Sequence, residues 1–385
     1  MGALGVLNLA VGLPGIMLLA ASPLLAFTLG NDAPTPRLTL FLALLILTIA
    51  YLVNAISVQV AARVNNVAVF TEILGTVVLA VALFVLWVAD YKETDHGIGF
   101  LGQSAHPPGQ SLWYSVVLAS LLGIYTIVAF ETAADMSEEA VDAQRSVPRA
   151  MIGAVVISGV LGMIVLIGFT IAVPNDAVIA EFGLPGVFQY WIGAELARTF
   201  VGIVVFSMFA LTVVGGAASA RLLYAMARDN MLPGSKALAK VNPRTLTPLP
   251  ALLVSYLLCV SVMLYGYNSG NAFGTLVGAT ALAPYLVYLL TVIAYGAKRR
   301  RLETLPGAFN LGRFAVPVFA AALLWLVAAV LALSLPSEFH QAVYYVVGGL
   351  VLAALWWLFA LRPRIANGTA GATMVRDAPG RDSPR

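Results

Sequence analysis

Apolar residues run through this chain in long unbroken blocks, separated by short polar connections. A helix needs about 20 such residues to cross the hydrocarbon core of a bilayer. Ten blocks reach or approach that length: roughly 3–29, 37–58, 67–89, 112–134, 150–173, 196–225, 248–267, 272–296, 314–335 and 342–361. The alternation in segments of about ten residues that marks a transmembrane β-barrel is absent. Lipid obliges each segment to satisfy its own backbone hydrogen bonds, so the pattern predicts an all-α polytopic membrane protein. Two connections, 90–111 and 174–195, are long. The second carries Val178, Ile179, Phe182 and Val187 at near-helical spacing, which fits either a short interfacial helix or loose packing on the outer rim.

Composition agrees: 61% of residues are hydrophobic and 10% charged, and the net charge is +3. That charge reflects topology, not nucleic acid. With a cytoplasmic N-terminus, 18 of the 21 Lys and Arg residues fall on the inner side, leaving Arg37, Lys92 and Arg198 outside. Both termini are therefore expected in the cytoplasm, with the protein in the plasma membrane. The membrane domain is expected to cover residues 1–361. The Gly-, Pro- and Arg-rich tail, 362–385, is expected to be disordered. The single cysteine, Cys259, sits in an apolar block, and His96, His106 and His340 all fall in polar connections. No metal or other cofactor is expected, and no nucleophile–base pair lies inside the spans, so nothing points to an enzyme.

Charge is concentrated in one place. Between Glu131 and Arg149 the chain carries Glu131, Asp135, Glu138, Glu139 and Asp142, then Arg145 and Arg149. Taken as one helix, Glu131, Asp135, Glu138 and Asp142 form a single acidic face. Leu112 to Phe130 is just long enough to span if the helix is straight, which makes the acids a solvated inner loop. Arg145 and Arg149 would then pair with them, and Ser146 and Pro148 would start the next helix. An unwound turn near 126–130 would instead leave Glu131 at membrane depth, where a carboxylate is costly and usually functional. The residues leave both readings open, because this stretch has no Gly or Pro.

The block AFETAADMSEEAVDAQRSVPRAM, from Ala129, resembles the sixth-helix signature of the amino acid–polyamine–organocation (APC) superfamily of permeases. Three more blocks agree in order. NAISVQVAARVNNVAVFTEILGTVV, from Asn54, resembles the family's fourth-to-fifth-helix junction. SARLLYAMARDNMLPGSKALAKVNPRTLTP, from Ser219, resembles the end of the eighth helix and its loop. PGAFNLGRFAVPV, from Pro306, resembles the start of the eleventh in the amino acid/choline branch. The resemblance implies the leucine-transporter fold, in which two five-helix inverted repeats hold substrate at broken helices near the midplane. It implies secondary transport of amino acids or related amines, driven by a proton or sodium ion or by exchange. On that reading Tyr125 to Glu131 is the unwound stretch: Tyr125, Thr126, Ile127, Val128, Ala129, Phe130 and Glu131. Carbonyls at Thr126–Val128 would accept the substrate ammonium, and Tyr125 would act as an aromatic gate. The family usually has Gly where this chain has Ala129.

By the same register the first span here matches the family's third helix, so the first two family helices are expected upstream in a longer reading frame. A truncated remnant or a membrane sensor of the same fold is the alternative. Glu72 stands as a candidate coupling acid or as an interfacial acid paired with Arg63. Asp135, Arg221 and Asp229 join it as coupling or gating candidates, with Arg228 in the inner salt-bridge network. Asn54, Ser57, Ser207, Thr212 and Ser219 read as interhelical hydrogen-bonding groups, and Gly215 and Gly216 as close-packing positions. Asn65 and Asn66 read as caps of the third span. Pro284, Tyr285 and Tyr288 read as aromatic packing or pathway lining.

Overall fold

The computed structural model describes residues 21–31, 34–89, 98–102, 111–135, 137, 140–175, 185–268, 272–302, 309, 311–336 and 340–371, with scattered positions between 5 and 17. Its main elements are helices: α1 (Ser22–Thr28), α2 (Pro36–Ile56), α3 (Val58–Val88), α4 (Leu112–Thr126), α5 (Thr132–Asp135) and α6 (Ala143–Ala172). Then follow α7 (185–192), α8 (Ala194–Arg228), α9 (Ser235–Leu238), α10 (Leu249–Asn268), α11 (Ala272–Leu302), α12 (Ala315–Ser334) and α13 (His340–Trp356). A wider turn, Trp357–Leu361, carries α13 into α14 (Arg362–Ala366). No strand occurs among the described residues.

Among the described residues, six helical segments are long and apolar enough to cross a membrane: α2, α3, α6, α8, Gly312–Ser334 and Ala342–Ala366. The predicted blocks at 248–267 and 272–296 are the helices α10 and α11, whereas block 3–29 is described only in part, with α1 at its end. Val156, Val160, Met163 and Ile167 of α6 all point away from the protein. Such a face would be an aggregation surface in water, but lipid accepts it without cost.

Helix α8 packs against α1, α2, α3 and α10. Gly215 and Gly216 make this possible: a Cβ on Gly216 would stand 3.2 Å from the Tyr51 ring, and one on Gly215 2.7 Å from Leu13. Polar groups tie the same helices together. Asn54 Nδ2 donates to the Val213 carbonyl (2.8 Å), Ser255 Oγ donates to Ser219 Oγ (2.7 Å), and Tyr51 Oη lies 2.8 Å from Ser255 Oγ. Each such bond in a membrane contributes on the order of 0.6 kcal/mol. Thr212 Oγ1 donates to the Met208 carbonyl of its own helix (2.9 Å) and reaches Met17 Sδ (3.5 Å), and Ser207 Oγ is buried without a hydrogen-bond partner among the described residues. A second apolar cluster joins Ile124 of α4 to Leu282 and Tyr285 of α11, Leu326 and Ala329 of α12, and Val346 of α13.

Several boundaries differ from the pattern-based expectation. The third span starts at Val58, not near residue 67, because VQVAARVNN contains no Gly or Pro to stop a helix. Ser57 is both the C-cap of α2 and the N-cap of α3: it is extended (φ −171°, ψ 141°), and its Oγ accepts from the Gln59 N–H at 3.1 Å. Asn65 and Asn66 therefore lie inside α3 instead of capping it. The second long connection contains a helix described over 185–192, and Val187, Phe188 and Trp191 are buried against α3 and α6 rather than at an interface. Trp191 Nε1 donates to the Ala172 carbonyl at 2.6 Å, which fixes this helix over the end of α6. Val178, Ile179 and Phe182 lie outside the described residues. The last helix continues past Leu361 to Ala366, and residues to 371 fold back: the Gly371 N–H donates to the Asp229 carbonyl (3.0 Å), and Asn230 Nδ2 to the Thr369 carbonyl (2.6 Å). Residues 372–385 lie outside the described residues.

Candidate functional site

Helix α4 stops at Thr126, well short of the expected end of its apolar block at 134. Ile127 already departs from helical geometry (φ −100°, ψ 21°), and Ala129 takes φ 73°, in the left-handed region. Only at Thr132 does the chain resume a helix, α5. The interruption at 127–131 thus settles the two readings that the residues left open, in favour of an unwound turn. Tyr125 and Thr126 remain in the last turn of α4, so the break is shorter than Tyr125 to Glu131. Helix termination releases the carbonyls of this last turn from the i+4 ladder.

Helix α11 holds the break in shape. The Ala129 N–H donates to Tyr288 Oη (3.3 Å), and the same hydroxyl donates to Glu131 Oε2. Tyr285 Oη donates to the Ile124 carbonyl at 2.7 Å, supplying one partner that the ended helix no longer provides. The Phe130 ring packs on the Tyr288 ring with centroids 5.0 Å apart, and Tyr285 and Tyr288 meet edge to face at 5.7 Å. The two tyrosines are three residues apart on one helical face, just after the buried Pro284. This spacing was visible in the sequence, but aromatic residues at helical spacing usually mean core packing alone.

The predicted residues are distributed unevenly around this point. Val128 packs against the α11–α13 cluster, Ile127 and Glu131 are half-buried, and Ala129 is exposed. Phe130 lines an apolar pocket of about 360 Å3 with Pro148, Met151 and Ile152 of α6. Of Tyr125 and Asp135 only the backbone is described. The single acidic face does not form, because Asp142 sits at φ 50° as the N-cap position of α6 and interrupts any continuous helix; Glu138 and Glu139 lie outside the described residues. Helix α6 starts at Ala143, ahead of Ser146 and Pro148. Arg145 does pair with an acid, Asp142, at 4.0 Å, with both side chains exposed.

Glu72 is exposed on α3, fourteen residues after Val58. It cannot pair with Arg63: nine residues along one helix separate them by about 13 Å of rise. At the C-terminal end of α8, Arg228 Nε lies 3.4 Å from Asp229 Oδ1. Arg221 faces a separate cavity beside Asn65 and Tyr224.

The amino acid permease family profile matches residues 1–360. The chain is 27% identical over 350 residues to the amino-acid permease BAT1 of Arabidopsis thaliana, covering 82% of this chain and 64% of that protein. It is 29% identical over 273 residues to the amino-acid permease BAT1 homolog of Oryza sativa subsp. japonica, covering 66% and 52%. It is 27% identical over 263 residues to the choline transporter of Saccharomyces cerevisiae, covering 64% and 46%. The chain thus spans about half to two thirds of the length of these relatives. With a broken helix clamped by its neighbour, an all-helical multi-pass architecture and a family match along nearly its whole length, the chain belongs to the amino acid permease family of the APC superfamily.

Proposed function

We propose that this protein is a secondary transporter that carries an amino acid or related amine across the membrane by alternating access, with the break at 127–131 as its substrate contact. The observation that carries this reading is the left-handed Ala129, held by Tyr288 between two helical segments. The C-terminal end of α4 concentrates negative partial charge. A cationic amine is the complement to that end, and the carbonyls of Thr126–Val128 are its acceptors. The apolar pocket at Phe130 and Met151 then takes the less polar part of the substrate. Relatives are named amino-acid permeases and a choline transporter, and amino acids and choline both carry a cationic nitrogen.

Tyr288 is a positioning residue here, because it fixes both the Ala129 amide and the Glu131 carboxylate. Glu131 stands beside the break, and Tyr125, in the last turn of α4, is the proposed aromatic gate. Glu72 and Asp135 are the candidates for proton coupling, with sodium coupling or exchange as the other modes. Arg221 and Asp229 gate the inner end. Both termini face the cytoplasm of the plasma membrane, following the basic bias of the connections.

The test is counterflow in proteoliposomes, using labelled neutral, basic and acidic amino acids and choline. Uptake of at least one amine above empty vesicles, competed by its unlabelled form, is the expected result. A folded, reconstituted protein that accumulates none of them would overturn the proposal.

A further inference from the structure

Three consecutive residues just after α8 are each held from the C-terminal part of the chain. The Gly371 N–H donates to the Asp229 carbonyl (3.0 Å), Asn230 Nδ2 to the Thr369 carbonyl (2.6 Å), and Trp356 Nε1 to the Met231 carbonyl (3.3 Å). These partners are far apart in sequence, so the turn at 229–231 is a tertiary junction as well as a helix end.

Local structure prepares both sides of the junction. Asn230 sits at φ 56°, in the left-handed region that asparagine enters more readily than most residues. Opposite it, α14 ends in a Schellman motif: the Thr369 N–H donates to the Arg364 carbonyl (2.8 Å) and the Gly368 N–H to the Ile365 carbonyl (3.0 Å), with Gly368 at φ 66°. The motif turns the chain back on itself. Gly371 then takes φ 121°, which only glycine adopts readily, as its N–H meets Asp229.

The junction ties together helices that pack in different clusters. Helix α8 packs on α1, α2, α3 and α10, whereas Val346 of α13 belongs to the cluster built with α4, α11 and α12. Alternating access moves one group of helices against another. A bond that crosses between such groups at one end of the bundle resists the opening of that end.

We propose that residues 364–371 are a regulatory strap: closed on 229–231, it holds the ends of α8 and α13 together and slows opening of the inner side. This rests on the transport reading, in which Asp229 gates the inner end. The bonds to Thr369 and Met231 are neutral and exposed, so the strap is weak enough to release within a transport cycle.

The first arm of the experiment reads the strap itself. In the full chain with Cys259→Ala, spin labels at Lys236→Cys and Ala366→Cys, both exposed, report the distance across the junction by double electron–electron resonance. A narrow distribution is expected. Asn230→Gly, which keeps the backbone angle and removes the side-chain bond, should broaden it, as should Gly371→Pro, which removes the N–H and cannot take that φ. An unchanged distribution in both variants would overturn the proposal. The second arm reads counterflow of a labelled amine. Asn230→Gly should raise its initial rate about two- to tenfold, the weight of one hydrogen bond. Joining Asn230→Cys to Thr369→Cys with a reducible bismaleimide should lower the rate at least about tenfold, and reduction should restore it. If Asn230→Gly or Gly371→Pro fails to fold, the cross-linked pair decides. Equal rates in the cross-linked and reduced protein would overturn the strap and leave the transport reading standing, whereas no counterflow in the parent chain would overturn both.

Discussion

Ala129→Gly should leave the protein as stable as before or more so, although glycine normally weakens a helical block. At φ 73° an L-residue bears about 1–2 kcal/mol of steric cost that glycine avoids. Glycine gives back about 1 kcal/mol through the greater freedom of the unfolded chain. The net effect is therefore between zero and about 1 kcal/mol of stabilisation. Were 112–134 a continuous helix, the same change would cost about 1 kcal/mol. Ala119→Gly, an exposed position inside α4, supplies that helical reference and should lose about 1 kcal/mol. The two variants should thus differ by about 1–2 kcal/mol, or roughly 5- to 30-fold in the unfolding equilibrium. Titration with sodium dodecyl sulfate in mixed micelles, followed by tryptophan fluorescence, measures it. If Ala129→Gly is destabilised as much as Ala119→Gly, the left-handed turn does not exist in the folded protein. Ala129→Leu adds a functional arm: it should fold yet lose amine binding, because its side chain fills the exposed side of the break.

Tyr288→Phe removes the hydroxyl shared by the Ala129 amide and Glu131; it should lower substrate affinity about tenfold in equilibrium binding, whereas Tyr285→Phe should lose stability but keep affinity. Gly216→Leu forces a side chain into the Tyr51 ring and should destabilise the bundle by about 1–3 kcal/mol in the same micelle titration. Glu72→Gln should abolish pH-driven uptake and leave substrate exchange intact, since the amide keeps the shape and cannot titrate; unchanged pH dependence would reduce Glu72 to a residue facing lipid. Glu303→Cys in a background with Cys259→Ala should react with an impermeant maleimide only from the cytoplasmic side, and labelling from outside would reverse the topology.

The helical class was legible because lipid leaves so few alternatives: runs such as 37–58 and 150–173 have no other stable form. The break was only half legible. TIVAF carries no Gly or Pro, so its local composition favours neither state; what decides it is a tertiary clamp, with Tyr285 and Tyr288 arriving from a helix more than 150 residues away. The acidic face failed for a related reason. Periodicity assumes one helix, and Asp142 adopts a left-handed turn that spacing cannot announce. The start of α3 was misplaced because polarity at Arg63, Asn65 and Asn66 was read as a loop. Polar residues end a membrane block without ending a helix, and these three simply continue α3 beyond its most apolar stretch.

Ser57 joins two helices of 21 and 31 residues with a single extended residue between them. A connection that short has no slack. Helix α2 cannot slide along α3, and any change in the tilt of one must be a rotation about this point, with the Ser57 hydroxyl keeping the first turn of α3 closed. Asn54, one turn before the joint, is bonded to α8, so the pivot is fastened to the centre of the bundle. Rocking of α3 therefore has a fixed fulcrum at this end, and the lever arm lengthens along all 31 residues toward Val88. Small angular changes at Ser57 become the largest displacements at the opposite side of the membrane.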